Sequence, residues 1–285
     1  MSYAGAIPIA SGGSTARGGS VRSGSAGANR REALQRFEGK TVLVTGSAGG
    51  LGREFALTFA REGATLILAD INEEGLAETK SLVEEAGSSA SRHRVDLSDE
   101  ADLHRFAQAV LADTPKLDVL INNAGLAYGE IAHGFLGVGM EKWQRWFAIN
   151  SIAPLLLAEA LKPALAAAQG LVINQSSMAS FTPATAYGVT KATLNAMTFG
   201  MANQFARDQI RVVGIAPGLM ETEANRASLP PETYDRVKGM QLTRRQGTAK
   251  DIANFGLFLA SEEGSFINNE VVLVDGGNQM RGWRL

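Results

Sequence analysis

The chain has 285 residues, 45% of them hydrophobic and 20% charged, with a formal net charge of −2. That is an ordinary globular composition, with no global attraction to nucleic acid or to an anionic membrane. It contains no cysteine, which excludes disulfides, thiolate nucleophiles and cysteine-based metal sites and fits a reducing, cytoplasmic setting.

Residues 1–30 hold 7 Gly, 6 Ser and 6 Ala without apolar periodicity, the composition of a disordered tail. Residues 1–37 carry five Arg against Glu32, a net +4, which leaves −6 for residues 38–285. An Arg- and Ser-rich, acid-poor start is also the pattern of an organellar import signal, although its glycines work against an amphipathic helix. The expected organisation is a tail over 1–37 and a single domain over 38–285.

From Lys40 onward, strand-length apolar runs alternate with helical patterns. The runs are TVLVT (41–45), ATLILAD (64–70), RHRVDL (92–97), LDVLIN (117–122), GLVINQS (170–176), IRVVGIA (210–216) and EVVLVD (270–275). Helical segments fall near 51–62, 73–86, 100–112, 141–168, 188–208 and 249–260. Little alternation within the runs marks parallel strands covered on both faces. The expected fold is α/β, a doubly wound, Rossmann-type sheet of about seven parallel strands with helices on both faces. No apolar run is long enough for a transmembrane helix, so no membrane partner is expected. Ligands of such sheets bind at the carboxyl ends of the strands.

The first strand runs into Thr45-Gly46-Ser47-Ala48-Gly49-Gly50-Leu51-Gly52 and then a helix. Glycines there let the backbone approach a pyrophosphate, and the helix N-terminus offers unpaired N–H groups. Gly46, Ser47, Gly50, Leu51 and Gly52 are the expected contacts. The second strand ends in Asp70, followed by Ile71. A carboxylate at that place bonds the adenosine ribose hydroxyls and repels a 2′-phosphate, and no Arg or Lys lies within Gly46–Gly52 or directly after Asp70. NAD is therefore the expected cofactor. The competing reading makes Asp70 the cap of the helix starting near Glu73.

Tyr187 and Lys191 stand four residues apart and share a face of a helix. A phenol with a pKa near 10 is a poor base at neutral pH. A neighbouring ammonium stabilises the phenolate, so that Tyr187 can take a proton from an alcohol or return it to a ketone.

Together, TGSAGGLG, Asp70, Asp96, the NNAG at 122–125, Asn150, the Ser176–Ser177 pair, YGVTK, PG at 217–218 and VDGG at 274–277 resemble the short-chain dehydrogenase/reductase family, over roughly residues 38–280 and in the family's order. Because Gly49 and Gly50 are both present, the turn fits TGxxxGxG and also the TGxxGxxG of the extended branch; NNAG and the short C-terminal part favour the single-domain branch. The resemblance implies that Asp96 and Leu97 lie at the adenine, and Asn123, Ala124 and Gly125 beside the adenosine ribose. It implies a nicotinamide-ribose contact for Lys191, a water-mediated proton relay for Asn150 and a substrate-orienting role for Ser177. Pro217, Gly218 and Thr222 resemble the segment at the nicotinamide end. The family's serine usually stands about a dozen residues before the tyrosine, whereas Ser177 is ten before Tyr187. Either the loop is trimmed, or Ser176 or Ser180 takes the role; Ser177 is preferred.

The remaining features bear on the substrate and on partners. Residues 223–246 are polar and Pro-broken, suited to a mobile cover. Gly129, Gly134, Gly137 and Gly139 punctuate another loop, and Phe135, Leu136 and Met220 are candidate apolar walls for a largely apolar alcohol or ketone. His93, His104 and His133 lack metal-like spacing, so no metal site is expected. The Ala- and Leu-rich 152–168 stretch is more apolar than a singly buried helix needs, and the resemblance implies a homodimer or homotetramer. The expected function is NAD-dependent interconversion of a secondary alcohol and a ketone. The alternatives are an NADP-dependent 3-oxoacyl or carbonyl reductase, and a catalytically silent nucleotide-sensing or scaffold protein.

Overall fold

The computed structural model describes residues 35–126, 134–222, 226 and 230–278. The expected tail up to residue 34, Gly129, His133 and most of 223–229 lie outside the described residues. In chain order the strands are β1 (Thr41–Thr45), β2 (Thr65–Asp70), β3 (Ala90–Arg94), β4 (Val119–Asn122), β5 (Leu171–Gln175), β6 (Arg211–Pro217), β7 (Met220–Glu221), β8 (Gly247–Thr248) and β9 (Glu270–Val274). Seven of them form one parallel sheet in the order β3-β2-β1-β4-β5-β6-β9, and β7 and β8 form a separate short parallel pair.

The apolar runs explain the two-layer cover. Alternate residues Val42, Val44, Ile121, Ile173 and Ile215 face one cluster. It is closed by α1 (Gly50–Ala60), α2 (Glu73–Glu85) and the helix Ala249–Ala260 through Phe55, Phe59, Leu76, Val83, Ile252 and Leu257. Leu43, Leu120, Val172 and Val212 face the other cluster. There α3 (Glu100–Asp113), α5 (Ala153–Ala160), α6 (Lys162–Ala168) and α7 (Ala186–Phe205) supply Leu103, Phe106, Leu157, Leu165, Met201 and Phe205. Each fully buried side chain of this size contributes about 1.5–3 kcal/mol.

Three boundaries differ from expectation. Phe37, assigned to the tail, is buried and meets the Phe59 ring edge-on at 5.0 Å, so the folded unit takes in residues before 38. The third strand is Ala90–Arg94 rather than 92–97. It is the sheet edge, where pairing with β2 (Ala90 opposite Leu66, Arg94 opposite Asp70) sets the register and hydrophobicity does not. Asp96 leaves the ladder because its N–H is taken by Asp102 Oδ2 (2.8 Å).

The expected 141–168 helix is broken into α4 (Met140–Phe147), a π-helical turn at Ala148–Ile152, α5 and α6. The prolines account for the breaks: Pro154 has no N–H for the Asn150 carbonyl, and Pro163 has none for that of Glu159. Among the described residues no single helix is long and apolar enough to cross a membrane. Met140–Ala160 and Lys162–Ala168 reach that length only as a pair bent by 64°, and Ala153, Leu157, Leu161 and Leu165 of this run are spent in the core. Part of the expected mobile cover is a helix, Pro231–Gly239, with Tyr234 buried; a proline opening the first turn is the signal that marks it.

Candidate active site

The sheet's strand order reverses at β1, which lies between β2 and β4, and the crevice at their carboxyl ends is where the expected site residues gather. A Cβ on Gly46 would stand 2.8 Å from Ala124 Cα, and one on Gly52 would stand 2.0 Å from the Gly46 carbonyl. Neither position admits a side chain. Gly50 is left-handed (φ +54°), whereas Gly49 is extended (φ −172°), a backbone open to any residue. The turn therefore uses Gly46, Gly50 and Gly52, the TGxxxGxG spacing. A Cβ at Gly49 or Gly50 would meet only open space. The α1 N-terminus has no side-chain cap and no acidic residue in its first turn, so its N–H groups and positive dipole end are left for an anion. These features fit a dinucleotide pyrophosphate. Leu51 packs partly buried against the α1 cluster. Ser47 is fully buried, its hydroxyl donating to Ala69 O (3.4 Å); its side chain holds the turn to β2.

Asp70 is no helix cap: Asn72 caps α2, its Oδ1 accepting from Gly75 N (3.1 Å). Asp70 instead accepts from Ala48 N through Oδ2 and from Asn72 N through Oδ1, both at 3.0 Å, which sets its carboxylate beside the glycine turn. Ile71 follows it, 53% exposed. Asp96 accepts from the Ser98 N–H (2.9 Å) and hydroxyl (2.6 Å), and these bonds hold its carboxyl below the usual range. Leu97 packs partly buried beside the α3 cluster.

The end of β4 is tied to that of β1. Asn123 Nδ2 donates to the carbonyls of Thr45 and Gly46 (3.0 Å each), and Thr45 Oγ1 accepts from Asn123 N and Ala124 N. Asn122 is turned away, bonded to Asn174 Oδ1 and Pro154 O. A Cβ on Gly125 would stand 3.0 Å from Asn150 Oδ1 and 3.3 Å from Lys191 Nζ, so the NNAG turn meets the Asn–Tyr–Lys group at this glycine. Asn150, fully buried in the π-helical turn, accepts from Leu126 N (2.7 Å) and donates to Leu126 O and Thr190 Oγ1 (3.0 Å each). Irregular turns of this kind recur at functional sites.

Thr185 caps α7 by accepting from Gly188 N (3.0 Å), which places Tyr187 and Lys191 on its first turns. Lys191 is 3% exposed, donates to the Gln175 carbonyl (2.7 Å), and lies 6.0 Å from the Tyr187 ring centroid. No carboxylate pairs with it among the described residues, and burial lowers its pKa from 10.5 to about 8. The ammonium's field is therefore uncompensated next to the phenol, in a dry setting where electrostatic interactions are strong. Trp146 packs edge-on against Tyr187 at 6.1 Å, and with Val138 and Ala186 it makes an apolar patch there.

The three serines separate. Ser176 donates to Asn195 Oδ1; Ser180 accepts from Asn195 Nδ2 (2.8 Å) and donates to Ser177 O (2.6 Å). Both belong to a buried network. Ser177 Oγ accepts from Ala179 N (3.2 Å), and among the described residues its own proton has no acceptor. Asn195, one helical turn past Lys191, was not singled out in the sequence, although that spacing puts it on the same face. Nor were Thr45, Trp146 or Thr190, whose partners lie far off in sequence or are backbone atoms.

Beyond β6, Gly218 N donates to Val274 O (3.0 Å), and a Cβ on Gly218 would stand 2.6 Å from Asp275 Cβ. Pro217 is thus pinned at the crevice by close packing under the VDGG turn. Thr222 is half-buried just past β7. Met220, a candidate pocket wall, is instead buried in the α1 cluster because β7 pairs with β8 over it. Phe135 and Leu136 remain exposed. His93, on β3, leans on Phe106 of α3, and His104, on α3, reaches Glu100 of the same helix.

A family model described as enoyl-(acyl carrier protein) reductase matches residues 46–279. The 7alpha-hydroxysteroid dehydrogenase of Escherichia coli (strain K12) is 30% identical over 246 residues, which are 85% of this chain and 95% of that relative. Among solved structures, a 7alpha-hydroxysteroid dehydrogenase complexed with NADH and 7-oxo glycochenodeoxycholic acid superposes with a TM-score of 0.81 at 29% identity, covering 86% of this chain and 96% of the other. L-sorbose reductase from Gluconobacter frateurii, complexed with NADPH and L-sorbose, does so with a TM-score of 0.78 at 27% identity, covering 86% and 98%.

Proposed function

Because the chain belongs to the short-chain dehydrogenase/reductase family, we propose that it interconverts a secondary alcohol and a ketone with NAD, and that Tyr187 moves the proton. The observation that carries this reading is Lys191: a buried ammonium with no carboxylate partner among the described residues, held by the Gln175 carbonyl 6.0 Å from the centre of the Tyr187 ring. Such a charge favours the phenolate. When bound, the nicotinamide ring gives or takes the hydride. The chain's own part is acid–base and positional. Tyr187 Oη takes the alcohol proton in oxidation and returns it in reduction. Ser177 Oγ–H donates to the substrate oxygen and stabilises charge there. Asn150 spends its side chain on Leu126 and Thr190; its carbonyl, which Pro154 cannot bond, is the place for a relay water.

NAD over NADP is supported by Asp70 at the end of β2, whose charge opposes a 2′-phosphate. Arg53, the nearest cation in sequence to the glycine turn, is committed to Ala48 O (2.6 Å), Thr79 Oγ1 (2.9 Å) and Glu78 Oε2 (2.7 Å). NADH and NADPH binding by fluorescence, followed by NADH-linked turnover of secondary alcohols, tests the reading. Asp70→Ala is expected to weaken NADH roughly tenfold while NADPH holds or improves. Equal loss with both assigns Asp70 to structure alone. A largely apolar substrate is part of this reading, supported by the exposed Phe135 and Leu136. Self-association through α5 and α7 is part of the same reading, supported by Phe199 on α7 and by Ile152 and Phe181, which precede α5 and α7; each is about 40% exposed, and light scattering checks it.

A further inference from the structure

Gln175 is the last residue of β5, and the sheet alternation puts its side chain on the α1 side, with Leu171 and Ile173. Its backbone oxygen receives the Lys191 ammonium (2.7 Å), yet its side-chain Oε1 is buried without a hydrogen-bond partner, and the residue is 7% exposed. Buried polar atoms in native proteins are nearly always bonded. The strand order sets this strand end between two parts of the site: the Gly46–Leu51 turn at the end of β1, two strands away, and Pro217 at the end of the adjoining β6. An apolar residue would continue the Leu171–Ile173 row at no polar cost, so the unpaired amide oxygen at this point is suited to a ligand with an N–H to give.

Resting on the NAD reading above, we propose that Gln175 is a nicotinamide-recognition residue: its Oε1 accepts a hydrogen bond from the carboxamide N–H of the nicotinamide. The ribose hydroxyls of that end are the province of Lys191, on the other side of the same strand terminus. The carboxamide is the neutral N–H donor the ring carries. Gln175 thereby joins placement of the nicotinamide ring to the proton-transfer group, because one residue holds Lys191 through its backbone and the ring through its side chain.

Binding, rather than turnover, reads this out. NAD, its 3-acetylpyridine analogue (a methyl in place of the amide NH2) and ADP-ribose are titrated calorimetrically against the full chain. The wild-type protein is expected to bind NAD roughly tenfold more tightly than the acetyl analogue, the size of one buried hydrogen bond left unmade. Gln175→Met is expected to bind the two alike, with ADP-ribose affinity unchanged, and Gln175→Glu, which keeps an acceptor, is expected to retain the preference. Gln175→Leu repeats the comparison with a second apolar shape. The proposal is overturned if either apolar variant still binds ADP-ribose and keeps the wild-type ratio; the NAD reading survives that result. If the wild-type chain binds neither NAD nor ADP-ribose, both fall together.

Discussion

Replacing Lys191 by Met removes a charge and keeps most of the side-chain volume. Burial lowers the ammonium pKa from 10.5 to about 8, which corresponds to roughly 3 kcal/mol of unfavourable charge burial at neutral pH. Methionine relieves that cost. It also strips the Gln175 carbonyl of its donor at 2.7 Å, a loss of about 1–3 kcal/mol. The two terms nearly cancel, so at pH 7 the variant is expected to unfold within about 2 kcal/mol of the wild type. The pH dependence separates them. The folded pKa lies below the unfolded one, so between pH 8 and 10.5 the unfolded chain binds more protons and wild-type stability rises with pH. The cost is fully present below about pH 8 and fades above it, so the wild type should gain on Lys191→Met as the pH is raised. Urea unfolding of both proteins at pH 7, 9 and 10 measures the difference and cancels titrations they share. Turnover at pH 7 is expected to drop at least a hundredfold. A variant with near-normal turnover, or a stability difference that stays flat from pH 7 to 10, refutes the reasoning.

Tyr187→Phe should lower turnover by roughly a hundred- to ten-thousand-fold while calorimetry finds NAD affinity within a few-fold of wild type; near-normal turnover assigns the proton to another group. Ser177→Ala should lose turnover with little change in melting temperature, whereas Ser180→Ala should cost about 1–3 kcal/mol of stability, because it strands Asn195 Nδ2, although the Ser177 carbonyl keeps the backbone N–H of residue 180. The reverse pattern makes Ser180 the substrate-orienting serine. Gly52→Ala places a Cβ 2.0 Å from the Gly46 carbonyl and should give a protein that is poorly folded or blind to NAD. Gly49→Ala, extended and facing open space, should melt like the wild type.

Much of this molecule is legible along the chain, and for local reasons. Uninterrupted Val/Ile/Leu runs can be satisfied only between two helical layers, so the strands at 41–45, 64–70 and 170–176 and the parallel sheet follow from pattern alone. Glycines between a strand and a helix mark the tight turn before α1, and the Tyr187–Lys191 spacing places both residues on one helix face. Each of these signals sits within a window of a few residues.

Where the sequence misleads, the deciding contact comes from far away. β3 takes its register from β2, so the strand is Ala90–Arg94 and only the first half of the RHRVDL run lies in it. Phe37 reads as tail because its partner Phe59 lies 22 residues on. Which two of the three serines are tied into a buried network rests on Asn195, and that Asp70 does not cap α2 rests on Asn72. The environment of Lys191 is likewise a tertiary fact: strand, helix and NNAG turn must converge before the ammonium is dry, bonded to one carbonyl and set beside a phenol. The sequence by itself determines which elements form and which residue types stand at the strand ends, since propensity and periodicity act locally. Only the packed structure decides which of those residues are spent on holding the site and which are left facing it, because burial, hydrogen-bond partners and pKa belong to contacts that the chain makes after it folds.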